Sequence, residues 1–160
     1  MWNPQIDEAL TIKLDSMCGI ERKDNRPLWD VRFMQDARNA ATMATCPRLS
    51  VGCVLVRDKH ILASGHNGAP RRMPHCTEVG CLMDGGHCIR SLHAEQNAIN
   101  RVGIGAQGAT CYVTHHPCPL CANMLINAGI VRVVYLNEYT PADGGEFFRL
   151  AGVIVDRIEL

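Results

Sequence analysis

At 160 residues the chain is long enough for one domain with a substantial core, and its 47% hydrophobic content is spread too evenly to give the run of about 18 apolar residues that crosses a bilayer. Sixteen basic residues balance sixteen acidic ones, which disfavours a non-specific nucleic-acid binder. Nine cysteines, an odd number, read in a reducing compartment as metal ligands, catalytic thiols or core residues rather than as a disulfide framework.

The first eight residues, Met1 to Glu8, lack the basic and apolar regions of a secretory signal, so a cytoplasmic location is expected. Residues 1–27 read as an N-terminal arm preceding a single domain over 28–160. Ile6, Leu10, Leu14 and Met17 fall at helical spacing, and a charged stretch runs from Glu21 to Pro27. Such an arm packs on the domain or a neighbouring subunit, or regulates it. Leu28 to Thr45 reads as a helix, with a stripe of Leu28, Val31, Met34, Ala37, Ala41 and Ala44 ending before Pro47. Residues 51–56 form a buried strand, Asp58-Lys59 a turn, and residues 60–64 the returning strand of a hairpin.

Gly65 to Arg90 is rich in Gly, Pro, Cys and His and offers little core, so an irregular segment of this length implies metal binding or substrate contact. Helical periodicity returns over 91–102 and stops at Gly103 and Gly105. A strand over 110–114 leads to a helix that starts at Pro119, where proline is tolerated, and runs to about Ala128. A strand over 131–136, a helix over 145–150 and a strand over 153–155 complete an α/β sandwich with a mixed sheet.

Two motifs carry the chemistry. His93-Ala94-Glu95 supplies an imidazole and a carboxylate, and Pro117-Cys118-Pro119-Leu120-Cys121 supplies two thiolates. His93, Cys118 and Cys121 make three ligands for a tetrahedral Zn²⁺ whose fourth position stays open, as a catalytic site requires. Cys118 and Cys121 sit at a helix N-terminus, which favours thiolate. Each ligand pair is expected at a strand-to-helix junction. His93 and Glu95 lie about 200° apart on an ideal helix, so the first turn has to begin near His93 for both to reach one cavity. The H-x-E and P-C-x-x-C pair is the pattern of zinc deaminases, in which hydroxide attacks the amine-bearing carbon of a base and the carboxylate, here Glu95, shuttles the proton. Each motif alone also suits a satisfied core histidine or a structural zinc half-site; together and in this order they favour catalysis.

Through Cys46 to Cys53, Gly65 to Pro70, His93 to Ile99 and Pro117 to Cys121, the chain resembles deoxycytidylate (dCMP) deaminases, in the bacterial and phage branch of the cytidine deaminase-like superfamily that includes competence-operon relatives. The resemblance spans about residues 28–155. It implies a three-layer α/β/α sandwich around a five-stranded mixed sheet, a homo-hexamer, and hydrolysis of dCMP to dUMP and ammonia in supply of dTMP synthesis. It makes His93, Cys118 and Cys121 the catalytic zinc ligands and Glu95 the proton shuttle, and it places Asn67 against the deoxyribose and base edge; Ala94 reads as a further substrate contact and Arg48 as a phosphate contact. Asn67-Gly68 equally spells a tight turn, and Arg48 equally a surface cation. Family members respond to dCTP and dTTP through the loop around Gly68. Here His66 stands where Tyr is usual and Arg71-Arg72 replaces Arg-Gly or Ser-Gly, so these arginines read either as phosphate contacts or as a solvated loop. A second, structural zinc is implied for Cys46, Cys76, Cys81 and Cys88, with His75 or His87 as alternates, against free thiols; Cys53 and Cys111 read as core. The alternatives are a deaminase of another substrate (dCTP, a modified dCMP, guanine or tRNA adenosine) and a non-catalytic zinc-stabilised binding module. No membrane or nucleic-acid partner is expected.

Overall fold

The computed structural model describes residues 27–139 and 144–160. The arm over 1–26, with its expected helix and Cys18, lies outside the described residues. In chain order the elements are α1 (Trp29–Ala41), β1 (Gly52–Arg57), β2 (His60–His66), α2 (Cys76–Val79), β3 (Met83–Asp84), β4 (His87–Cys88), α3 (Ala94–Val102), β5 (Thr110–His115), α4 (Pro119–Asn127), β6 (Arg132–Asn137), α5 (Gly145–Ala151) and β7 (Ile154–Arg157). Five strands form one sheet in the order β2-β1-β5-β6-β7. The β1 strand runs antiparallel to both β2 and β5, while β5, β6 and β7 are parallel, so the sheet is mixed as expected. Each parallel step needs a crossover, and α4 and α5 supply them.

Alternation along the central strands divides the core. Cys53, Leu55, Cys111, Val113 and Val133 face one side, where they pack with Ala94 and Ala98 of α3, Leu125 of α4 and Phe148 of α5. Val54, Val56, Tyr112 and Val134 face the other side and meet Phe33, Met34 and Ala37 of α1. This period of two on a sheet buried on both faces defines the three layers. The β1–β2 hairpin turns at Asp58 and Lys59, whose φ angles of 51° and 63° are those of a type I′ turn. Helix α1 ends at Ala41 rather than Thr45, and Phe33 replaces the 78% exposed Leu28 in its buried stripe. The early end has a tertiary cause: the chain must turn so that the Thr45 N–H reaches the Asn67 carbonyl (3.1 Å).

Two glycines set how closely helices approach the sheet. A Cβ on Gly52 would lie 1.9 Å from the Ala37 carbonyl oxygen of α1, and one on Gly65 would lie 2.2 Å from the Ala94 carbonyl oxygen of α3. The obstacle in both cases is backbone, which cannot swing aside. Gly65→Ala is therefore expected to destabilise the domain by about 1–3 kcal/mol or more in chemical denaturation. A variant as stable as the parent would show that α3 is free to shift.

A polar network ties α1 to the far end of the sheet. Arg132 donates two hydrogen bonds to Asp30 (2.9 and 2.8 Å) and a third from Nε to Asp156 (2.7 Å), and the Tyr112 hydroxyl donates to Asp30 at 2.6 Å. Partial burial raises the Asp30 pKa, but the hydrogen bonds from Arg132 and Tyr112 outweigh it and hold the carboxyl below its ordinary 3.8. A carboxyl depressed in the folded state stabilises the fold fully above that ordinary value, and the contribution fades as pH falls through the lowered one. Arg132→Met leaves the carboxylate short of its main partner and is expected to cost about 1–3 kcal/mol at neutral pH. The parent–variant gap should close in acid melts below pH 3.8; a gap independent of pH would mean that Asp30 is not its source.

Candidate active site and a four-thiol cluster

The site lies at one edge of the sheet, where β5 and β6 end and β1 begins. Outside the carboxyl ends of parallel strands is where open α/β sheets take ligands. The turn after β5 carries His115, His116 and Pro117 into α4, with Cys118 in extended conformation as its N-cap and Pro119 at the first helical position. His93 is likewise the extended N-cap of α3, and its N–H donates to the Gln96 side chain at 2.7 Å. Capping resolves the angular difficulty between His93 and Glu95: with His93 outside the helix and Glu95 in its first turn, both side chains line one cavity. The Cys pair follows a strand of the sheet directly. His93 instead follows the long excursion after β2, and a backbone bridge between Gly68 and Leu92 returns the chain to the sheet's edge (N···O 3.1 and 2.9 Å).

The three candidate ligands converge. The Nδ1 atom of His93 is 3.6 Å from Cys118 Sγ and 3.3 Å from Cys121 Sγ, and all three donor atoms lie within 4.8 Å of one another. A tetrahedral zinc with ordinary Zn–N and Zn–S bonds would hold nitrogen and sulfur about 3.6 Å apart. One imidazole and two thiols at this spacing therefore suit zinc, with one position left open. Hydrogen bonding with Cys121 and His93 holds the Cys118 thiol down at about 4, against burial. Cys121 is pushed up by Cys118 and by burial, and His93 is raised by its contact with Cys118. Glu95, 4% exposed, stands beside Cys121, and burial raises its carboxyl with His93 opposing.

A second group gathers where the excursion meets the turn after α1. Helix α2 and the β3–β4 ribbon give the Gly-rich segment more regular structure than its composition suggested. Cys46, Cys76, Cys81 and Cys88 place their sulfurs within 4.8 Å of one another, with Cys46–Cys81 at 3.7 Å and Cys76–Cys88 at 3.5 Å. Ordinary Zn–S bonds in a tetrahedron would space sulfurs about 3.8 Å apart, and a disulfide would bring them to about 2.05 Å. The two alternate ligands lie elsewhere. His75 Nδ1 is 2.8 Å from Thr45 Oγ1, and its backbone N–H donates to Glu78 at the start of α2. His87 lies on the cavity wall, its Nδ1 3.5 Å from the Tyr139 hydroxyl. Cys53 and Cys111 form a buried pair 3.5 Å apart in the core.

The cavity, of about 390 Å³, is bordered by Glu95, His93 and Cys118, and also by Asn67, Ala94 and Arg48. Asn67 accepts a hydrogen bond from the Val51 N–H and donates one to the Leu49 carbonyl, both 2.8 Å, so it props the 49–51 wall. It does not form a turn with Gly68, whose backbone pairs with Leu92. Arg71 and Arg72 are exposed and, with Gly68, stand off the cavity wall. Sequence reasoning did not single out His115, His116, Glu138 or Tyr139 there. The two histidines had a signal in their adjacency to Pro117-Cys118, whereas Glu138 and Tyr139 follow β6 and carry no motif. His116 is packed edge-on against Tyr135, ring centres 4.7 Å apart.

Comparison with known proteins agrees with this geometry. Residues 27–137 match the family model described as cytidine and deoxycytidylate deaminase zinc-binding region. The chain is 45% identical to ComE operon protein 2 of Bacillus subtilis over 136 residues, covering 82% of this chain and 72% of that one. It is 40% identical to the deoxycytidylate deaminase of Saccharomyces cerevisiae over 123 residues, which is 71% of this chain but 39% of that longer protein. The crystal structure of dCMP deaminase from the cyanophage S-TIM5 in complex with dCMP and dUMP superposes with a TM-score of 0.74 at 33% identity, covering 83% of this chain and 98% of that one.

Proposed function

Because the chain belongs to the cytidine and deoxycytidylate deaminase zinc-binding family, we propose that it hydrolyses dCMP to dUMP and ammonia, supplying the precursor of dTMP. The observation that carries this reading is a single cavity of nucleotide size in which a three-donor metal site meets a buried carboxylate. Zinc bound by His93, Cys118 and Cys121 supplies the Lewis acidity that makes water a nucleophile near neutral pH. The remaining work falls to the chain. Glu95 takes one proton from the water and delivers it to the ring nitrogen beside the amine-bearing carbon; as the carbonyl forms it takes the second proton from the added oxygen and passes it to the amine, which leaves as ammonia. The other carboxylate on the wall, Glu138, already accepts from the Tyr135 hydroxyl (2.8 Å) and pairs with Arg157 (3.5 Å). Asn67 retains one N–H and one lone pair for the sugar after holding residues 49–51.

A second zinc in the four-thiol cluster belongs to the same proposal and is supported by the sulfur spacing. It would pin an excursion that has no core of its own. Arg71 and Arg72, reachable from solvent, are the proposed contacts for a dCTP or dTTP effector, which titration of either nucleotide into the assay tests.

The test of the reaction is ultraviolet absorbance on mixing the protein with dCMP, with dCTP, deoxycytidine and adenosine in parallel. Rapid loss of the dCMP signal alone is expected. Faster turnover of dCTP or adenosine would keep the chemistry and overturn the substrate.

A further inference from the structure

The two faces of the sheet are unequally covered. On one, α3, α4 and α5 pack against β1, β5 and β6. On the other, among the described residues, α1 carries the packing, and it lies mainly over β1 and β5. The strip beside it, over β6 and β7, shows Leu136, Ile154 and Ile158 on the α1 side: Val134 faces α1 and pairs in register with Asp156, and these three stand two residues from one or the other. Leu136 and Ile158 are partly buried and Ile154 is exposed. Parallel strands are ordinarily covered on both faces, and this strip lacks its second layer among the described residues. Two strands make it roughly 10 Å wide, the width of one helix. Arg132 and Asp156, which share the strip, already pair at 2.7 Å, so covering them strands neither charge.

The chain enters α1 next to this strip. Asp30, three residues after Pro27, bonds Arg132 at the start of β6 (2.9 and 2.8 Å). The arm over 1–26 therefore joins the domain at the open flank. Its Ile6, Leu10, Leu14 and Met17 recur at helical spacing. They precede the stretch 27–137 that matches the family model, so the family pattern does not account for them. We propose that residues 5–18 of the chain's own arm dock as a helix beside α1, laying Ile6, Leu10, Leu14 and Met17 across Leu136, Ile154 and Ile158. A helix over that range is about 21 Å long and the six residues of β6 run about 20 Å. Residues 19–27 span up to about 30 Å when extended, ample for the roughly 8–10 Å between neighbouring helices, so the two run antiparallel. The flank over β2 is the poorer seat. There Lys59 lies over the Trp29 ring (5.4 Å to its centre), and Ile61 is the one large apolar residue that β2 leaves exposed. The groove lined by Ile99, Ile104, Met124 and Ala128 belongs to the opposite face, which the arm reaches only by passing round an edge of the sheet.

The test keeps the full chain and replaces Leu10 with the photo-reactive residue p-benzoylphenylalanine. After irradiation the product is expected at monomer mass on a denaturing gel, with position 10 joined to peptides that hold residues 132–138 or 153–160. Ile154→Lys in the same chain should remove most of that cross-link. In the double variant Leu10→Asp, Leu14→Asp, hydrogen–deuterium exchange over residues 153–158 should quicken about 10- to 100-fold, the worth of one or two apolar side chains withdrawn from the strip. Exchange over β1 and β5 should hold within about twofold. Should the double variant lose stability throughout, the cross-link in the otherwise parental chain decides. A product at dimer mass would assign the strip to the arm of a second copy and overturn the proposal. Cross-links to the Ile99–Met124 groove or to the β2 flank, or unchanged exchange over 153–158 in a folded double variant, overturn it as well.

Discussion

Glu95→Gln is expected to lower kcat on dCMP by about 10²- to 10⁴-fold, the usual worth of a positioned general acid–base, while the metal content stays at the parent level. Glutamine matches the carboxylate in shape and keeps an acceptor oxygen, so the first turn of α3 has no packing reason to rearrange. What is lost is the ability to take and return a proton. The 4% exposure of Glu95 matters because bulk water does not reach it to substitute as a base. The two measurements separate the explanations: an inactive variant that has also lost metal would have failed through the site's assembly, and a variant keeping more than about a tenth of parental kcat would remove Glu95 from the proton path.

Cys121→Ala is expected to abolish activity by a different route. Cys121 is fully buried in α4 and is one of three donors, so its removal leaves His93 and Cys118, too few to hold an ion firmly. Zinc measured by elemental analysis should fall by one ion per chain, leaving the one proposed for the four-thiol cluster. The fold should persist, since α3 and α4 are anchored through Ala94, Ala98, Ala122 and Leu125 in the core shared with the sheet. Loss of both ions together would show that the two clusters are not independent, and retention of two with activity intact would refute the ligand assignment.

The arrangement of elements was legible because periodicity is a local property. The strands and helices of the sheet lie within a few residues of their expected places, and Asp58-Lys59 turns as its position between two strands implied. Convergence of His93 with Cys118 and Cys121 was legible because the residue types and their spacing are specific to one kind of chemistry. Features set by tertiary demand were less visible. Nothing near Ala41 ends α1; the turn after it serves contacts with Asn67 and the thiol cluster, far along the chain. Asn67 reads as a substrate contact or a turn; the fold adds that its amide braces the backbone of residues 49–51 while it lines the cavity. The resemblance already separated Cys46, Cys76, Cys81 and Cys88 from the core pair Cys53 and Cys111, and the fold adds that Cys46 reaches the other three from the connection after α1. His87 carried a ligand's residue type beside a cysteine, and it takes three dimensions to see that it faces Tyr139 instead.

The paired hydrogen bonds between Gly68 and Leu92 have a consequence for how such a chain diversifies. Everything from Ala69 to Ser91 leaves the sheet and comes back to nearly the same point, so its length is invisible to the strand register. Closing a longer or shorter detour there changes the entropy of the chain only slowly. The segment is in effect an exchangeable cassette. A change of length there can reshape the cavity wall at His87 and Cys88 without moving Glu95, which stands on α3.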